Sequence, residues 1–347
     1  MRNAVPGRRL SGGKDGQTIS VLYHSLMRTH EQPVRNATQP FLVRAAALLV
    51  VPAAAGAFAA GAAAQAPATD ATLAGRIAAR VAQVPGAEVG VIYRPLGAGA
   101  PVELNPELEF HAASTMKVPV MIELFRQADR GALSMDQPVL LVNQFASIAD
   151  GSPFSVSPAD DSDSSLYARV GDRIPLRELI ELMIVRSSNL ATNAVIALAD
   201  PVRVTATAHA LGARHMRVLR GVEDQRAYDR GLVNTTTASD LAVLLAAIAT
   251  QRAASPASCT AMRDILMRQE FNDEIPAGLP PGTRVAHKTG QITGVLHDAA
   301  VVYPSSGDPY VLVVLTRGID DEAVARAMIA DVSRMVWESR APVARGS

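Results

Sequence analysis

Cysteine is nearly absent from this 347-residue sequence: Cys259 stands alone, so no intramolecular disulfide can form. With no basic partner evident nearby, it reads as a small packed side chain rather than a nucleophile. Aromatic residues make up only 4% of the chain, which leaves little to stack on nucleic-acid bases. The formal net charge is zero, so the whole chain has no electrostatic footprint for DNA or RNA. Lysine is scarce as well. Of 33 Lys and Arg residues only three are lysines, at positions 14, 117 and 288.

What the sequence does have is a 48% apolar composition, enough for a sizeable core. Part of it lies in a leader. Residues 45–64 form an Ala- and Gly-rich apolar run, preceded by Arg28, Arg35 and Arg44 and followed by Ala64-Gln65-Ala66, an A-x-A cleavage pattern. Pro52 interrupts the run and its hydrophobicity is weak, which argues against a retained anchor. Residues 1–66 are therefore expected to be a signal peptide and leader, with Met27 as a second candidate start and Arg8-Arg9 too far upstream for a twin-arginine signal. The expectation is a periplasmic or secreted protein with no stable membrane insertion after signal removal. The leader carries seven cations and two anions, leaving 26 cations against 31 anions, a net charge of −5. That balance again argues for no nucleic-acid partner.

Beyond the leader, Leu73, Ile77 and Val81 recur at helical spacing. Residues 88–94 (EVGVIYR) and 102–104 read as strands. Residues 116–129 read as a helix whose Pro119 must lie in its first turn, where a missing N–H is harmless. Helical stretches 176–185, 189–199 and 239–252 follow. Residues 145–173, rich in Ser, Asp, Gly and Pro, predict a long surface loop. Its Asp160, Asp161 and Asp163 lack a calcium-ligand spacing and read as solvated loop charges. Strands are expected at 284–288, 298–303 and 310–316, then a last amphipathic helix capped by Asp320. The economical fold is α+β: one antiparallel sheet made from both chain ends and flanked by helices, with an inserted all-helical lobe. The expected divisions are a discontinuous α/β domain (67–115 and 283–347) and a helical lobe (116–282) carrying the 145–173 loop.

Both lysines beyond the leader sit in chemically pointed contexts, against 24 arginines in the same stretch. Arginine cannot release its proton in a protein, whereas a buried lysine can. In Ser114-Thr115-Met116-Lys117 the i, i+3 spacing at a helix start puts hydroxyl and amine on one face, as base activation of a serine requires. The helix N-terminus adds positive potential for a developing oxyanion. In His287-Lys288-Thr289-Gly290, at a strand end, cation and hydroxyl suit a substrate carboxylate and the glycine permits close backbone approach. Ser187-Ser188-Asn189 lies between two helices and offers a hydroxyl for proton relay and an amide for substrate.

With these three motifs in this order, the sequence resembles the class A β-lactamases and, more distantly, the wider penicillin-recognising serine enzymes. The resemblance spans about residues 70–340 and carries the β-lactamase/transpeptidase-like fold as its expectation. It implies Ser114 as the acylated nucleophile, Lys117 as proton acceptor in acylation and Ser187 as proton donor to the leaving nitrogen. It implies Asn189 for the acyl side-chain amide, Lys288 and Thr289 for the substrate carboxylate, and Gly290 beside them. The backbone N–H groups of Ser114 and Gln291 would form the oxyanion hole.

Two positions depart from the family pattern. Ser188 stands where Asp is usual, which changes local loop bonding and leaves Ser187 and Asn189 in place. The E-x-x-L-N pattern of the deacylation base is missing; Glu223 is the best-placed carboxylate and Asp224 the next. The expected function is opening of a β-lactam amide through an acyl-enzyme on Ser114. The alternatives are a D,D-peptidase, amidase or esterase on the same scaffold, or a non-hydrolysing penicillin-binding sensor. The expected partner is a small-molecule β-lactam or peptidoglycan-like substrate, met by a monomer. No cofactor is implied. His111, His287 and His297 show no paired ligand spacing and read as structural, so no metal is implied either.

Overall fold

The computed structural model describes residues 72–340. The expected leader and cleavage site lie outside them. Alternating apolar residues build a five-stranded antiparallel sheet, β1 (Glu88–Pro95), β2 (Val102–Leu104), β9 (Arg284–Ile292), β10 (Val295–Tyr303) and β11 (Tyr310–Arg317), in the order β2-β1-β11-β10-β9. The chain ends meet in its middle, where β1 pairs with β11 from Glu88↔Arg317 to Pro95↔Tyr310. Both faces are buried, so the central strands read as almost unbroken apolar runs. On one face Ile92, Ala299, Val301, Val311, Val313 and Leu315 join the core of the helical segment. On the other Val89, Val91, Ala300, Val302, Leu312 and Val314 pack against α1 (Leu73–Ala82) and α9 (Glu322–Ser339).

Between β2 and β9 lie the helices that carry the larger core: α2 (Lys117–Asp129), α3 (Leu176–Val185), α4 (Asn189–Ala199), α5 (Pro201–Leu211), α6 (Gln225–Asp229), α7 (Ala238–Ala249) and α8 (Pro256–Leu266). The two short strands β3 (Phe110–His111) and β8 (Thr235–Thr236) pair at the entrance to α2. Another short pair, β4 (Pro138–Leu140) with β7 (Arg173–Pro175), leads into α3. No helix among the described residues is long and apolar enough to cross a membrane.

Several boundaries shift from those expected. β9 runs four residues past Lys288 to Ile292, because Thr289 to Ile292 pair with Val295 to Asp298 of the following hairpin strand. The cap of α9 is Asp321, whose carboxylate accepts the Ala323 N–H at 2.8 Å, not Asp320. Residues 145–173 are not a freely solvated loop. They contain a small hairpin, β5 (Phe145–Ala146) with β6 (Pro153–Phe154), and a 3-10 turn at Ser164–Arg169. Asp161 and Asp163 are buried.

Candidate active site

The turn bearing Ser114 is strained at its entrance. Ala113 has φ 45°, a left-handed conformation that costs an L-residue with a Cβ. Its N–H is satisfied by His111 Nδ1 at 3.0 Å, and Thr115 Oγ1 donates to Ala112 O at 2.5 Å. Ser114 therefore lies in a 3-10 turn, Ala113–Met116, that leads directly into α2. The side chain of His297 supports this turn from the sheet: its Nε2 donates to His111 O at 2.9 Å. A carbonyl only accepts, and Nδ1 takes the Thr316 N–H at 3.2 Å, so Nε2 carries the hydrogen. Burial holds this imidazole down to about 4, which keeps it neutral.

Lys117 follows one helical turn later and is completely buried. Its ammonium group donates to Ser187 O at 2.6 Å and Asn189 Oδ1 at 2.9 Å, and lies 3.2 Å from Ser187 Oγ. Burial holds its proton affinity well below the ordinary lysine value, and the Lys288 cation lowers it further; Asp161 and Glu223 act in the opposite direction.

Lys288 approaches from the opposite wall. Strand periodicity places it on the same face as Ala286, which faces the helices, while Val285 packs on the other side. Its Nζ donates to Ser187 Oγ at 3.0 Å and to Thr289 O at 2.9 Å. It too is fully buried, and burial brings its pKa down to about 7 against the carboxylates of Asp298 and Glu274. Ser187 thus holds its hydroxyl between both amines, on a backbone with φ 54°. Beneath Lys288, buried His287 Nδ1 contacts both Asp298 oxygens, at 3.0 and 3.1 Å.

Gly290 explains how β9 and the Ser114 turn come together. A Cβ there would stand 3.0 Å from Thr115 Cγ2 and 3.2 Å from the backbone nitrogens of Ser114 and Thr115. Only glycine admits that approach without a shift. β9 is an edge strand, so alternate N–H groups have no strand partner and face the cleft side.

The segment 219–234 forms the third wall. Asn234 closes its neck: Oδ1 accepts from the N–H groups of Leu219 (2.8 Å) and Arg220 (3.3 Å), and Nδ2 donates to Arg220 O. Glu223, at φ 61°, accepts from Asn189 Nδ2 at 3.0 Å. Desolvation raises its pKa and Asp160 adds to that, while Lys117 opposes the rise. Asp224 is differently employed. It is buried and accepts from Ser147 Oγ, the Ile148 N–H and the Ala227 N–H, so it caps α6 and ties down the 145–154 hairpin.

These walls enclose a cavity of about 450 Å³ lined by Ser114, His111, Asn189, Arg220, Glu223 and Gln291. An adjoining recess of about 460 Å³ adds Ser187, Thr289, Gly290, Glu274 and Arg326. Of the nine residues singled out from the sequence, Ser114, Ser187, Asn189, Glu223, Thr289, Gly290 and Gln291 line these two recesses, and the buried Lys117 and Lys288 reach them through the Ser187 hydroxyl. Spacing alone missed Asp161, Glu274 and Arg326. Arg326 pairs with Glu274 and reaches Gln291 Oε1 at 3.4 Å, so it fixes the outer edge of β9.

A cleft between a sheet edge and a helical layer, with a serine at a helix entrance and two buried lysines, defines the class of penicillin-recognising serine hydrolases. The chain belongs to the β-lactamase enzyme family, whose sequence model matches residues 72–339. It is 26% identical over 260 residues to a β-lactamase of Streptomyces albus G, covering 73% of this chain and 80% of that one. Among solved structures it is similar to an acyl-enzyme complex of a PBP-A point mutant with penicillin G, with TM-score 0.65, 28% identity, and coverage of 77% and 95% of the two chains. It is also similar to an ancestral class A β-lactamase, with TM-score 0.66, 26% identity, and coverage of 78% and 100%.

Proposed function

We propose that this chain opens β-lactam amides through a covalent acyl-enzyme on Ser114, as a class A-like serine β-lactamase. The observation that carries the reading is the convergence of two buried lysines on the Ser187 hydroxyl, in a recess that Ser114 also lines. Neutral Lys117 takes the Ser114 proton as Oγ attacks the lactam carbonyl. The N–H groups of Ser114 and Gln291 hold the oxyanion, an interaction whose loss costs about two to three powers of ten in rate. The C–N bond then breaks, and Ser187 hands its proton to the departing nitrogen and regains one from the lysine ammonium groups. The substrate carboxylate lies against Lys288 and Thr289, and the acyl side-chain amide against Asn189. Glu223 takes a proton from the water that attacks the ester; as the acyl–Oγ bond breaks, that proton passes to Ser114 Oγ, releasing the ring-opened acid and restoring both groups.

The neighbouring penicillin G acyl-enzyme complex of PBP-A supports β-lactams as ligands. We include in this reading export to the periplasm or medium, on the pattern of residues 45–66, and a monomer as the working unit. Hydrolysis of a chromogenic cephalosporin tests it. Turnover lost in Ser114→Ala is the expected result, and turnover equal in parent and variant contradicts it.

One observation favours a second reading for the release step. Glu223 is not in the family's E-x-x-L-N context, and its carboxylate is bonded to Asn189. A site that acylates and releases slowly would be a penicillin-binding sensor, or a D,D-peptidase, amidase or esterase whose own substrate leaves faster.

A further inference from the structure

Helix α4 begins at Asn189, and its first-turn N–H groups have no partners within the helix. Here each of the first three is accounted for. Asn189 N–H donates to Asp161 Oδ1 at 2.9 Å, Leu190 N–H to Asp161 Oδ2 at 2.8 Å, and Ala191 N–H to Ser188 Oγ at 3.2 Å. Asp161 belongs to a different segment, 28 residues upstream of Asn189. Its carboxylate is buried and also accepts from the Asp163 N–H at 3.0 Å and Tyr167 Oη at 2.9 Å. A negative charge at a helix N-terminus is favourable in itself. This one also braces a residue that bonds Lys117 through Oδ1 and Glu223 through Nδ2.

The sequence departs from the family in the same place: Ser188 occupies the position where Asp is usual. We propose that Asp161 is a positioning residue for the reaction, supplying from the facing segment the carboxylate that the Ser187-Ser188-Asn189 turn lacks and fixing Asn189, hence Lys117 and Glu223, in place. The inference rests on the acyl-enzyme reading for its kinetic consequence and on the hydrogen bonds alone for its structural one. The charged and titratable groups that Asp161 meets are Lys117 from α2, Glu223 from the 219–234 segment, and Tyr167 from its own segment, where it also takes the Asp163 N–H. Asp161 and Glu223 favour the charged form of Lys117, while Lys288 opposes it.

The test uses the full chain as the parent, Asp161→Asn, Asp161→Ser, and Asp161→Ser with Ser188→Asp. Three readouts are taken: acylation by penicillin G, thermal melting, and lysine titration by NMR of side-chain-labelled protein. The chain has three lysines, so three signals suffice for the titration. Asp161→Ser is expected to slow acylation about 100-fold, the scale of a small misplacement of a reacting group. Asp161→Asn is expected to move the Lys117 titration to lower pH by about one unit. Adding Ser188→Asp to Asp161→Ser is expected to recover about ten-fold or more of the lost rate. Acylation at the parental rate in Asp161→Ser overturns the proposal. So does a second change that restores melting but neither acylation nor the Lys117 titration. If penicillin G does not acylate the parent, the acyl-enzyme reading fails by itself. The titration then decides on Asp161: a shift upholds its role and an unmoved Lys117 overturns it.

Discussion

Lys117 and Lys288 meet at one oxygen: their amines lie 3.2 and 3.0 Å from Ser187 Oγ, one arriving from a helix and the other from the edge of a sheet. Two ammonium groups so close disfavour each other's charge, and burial disfavours both. The pair is thus disposed to share fewer than two protons near neutral pH, which lets one serve as base while the other stays cationic.

This arrangement sets a pH profile. Acylation should draw on the neutral form of Lys117, which burial favours, and should fall as pH rises past about 7, where Lys288 loses the charge that holds the substrate carboxylate. The fall should appear mainly in KM, and substrates without a carboxylate should lack it. Stability moves with the same groups. Between the folded value of Lys288 near 7 and its ordinary 10.5, the unfolded chain binds a proton that the folded chain does not. Stability therefore rises with pH through that window. Melting temperatures of the parent and Lys288→Met from the folded value up to 10.5 check the sign: the upward slope should be shallower in the variant.

Glu223 separates the two halves of the reaction. Glu223→Gln should leave acylation by penicillin G within about five-fold of the parent and slow release by about 100-fold or more, the scale of a general base. Single-turnover mass measurements distinguish the steps. Equal slowing of both would instead mark Glu223 as a support for Asn189.

Gly290 is a steric prediction. A methyl group there would meet Ser114 N and Thr115 N at 3.2 Å, so Gly290→Ala must push β9 away from the nucleophile turn. Acylation should fall by about 100-fold, with little change in melting because an edge strand can give way. Comparing kcat/KM with the melting temperature tests both parts.

Ala113 offers the opposite case. Its φ of 45° is disfavoured for alanine and open to glycine. Ala113→Gly should relieve about 1 kcal/mol of backbone strain while adding flexibility to the unfolded chain, for a small net change in stability. The acylation rate should drop more than the stability changes, because the entrance to the Ser114 turn becomes less fixed. Denaturant melts beside acylation rates show whether the two separate.

Much of this site was legible in the sequence because its chemistry is local. Ser114 and Lys117 share a helix entrance, and Lys288, Thr289 and Gly290 share a strand. The scarcity of lysine marked the two that matter before any geometry was known. The sheet was legible for the same reason, since period-two apolar strands lie at both ends of the chain. The support of the site was not. Asp161 read as a solvated loop charge because the partners that tie it to the site are backbone N–H groups 28 and 29 residues away, which leave no spacing pattern. Arg326 and Glu274 bracket β9 across 52 residues. The length of β9 was underestimated because its last residues, Thr289 to Ile292, are held by the hairpin with β10 rather than by apolar alternation.

The account turns on whether Ser114 is the acylated residue. Time-resolved intact mass of the parent and Ser114→Ala after mixing with penicillin G addresses it directly, followed by peptide mapping of any adduct. The account predicts a single penicilloyl adduct in the parent, mapped to Ser114 and lost as hydrolysed product accumulates, with no adduct in the variant. The same adduct in both proteins, or hydrolysis with no covalent species and no dependence on Ser114, would contradict it.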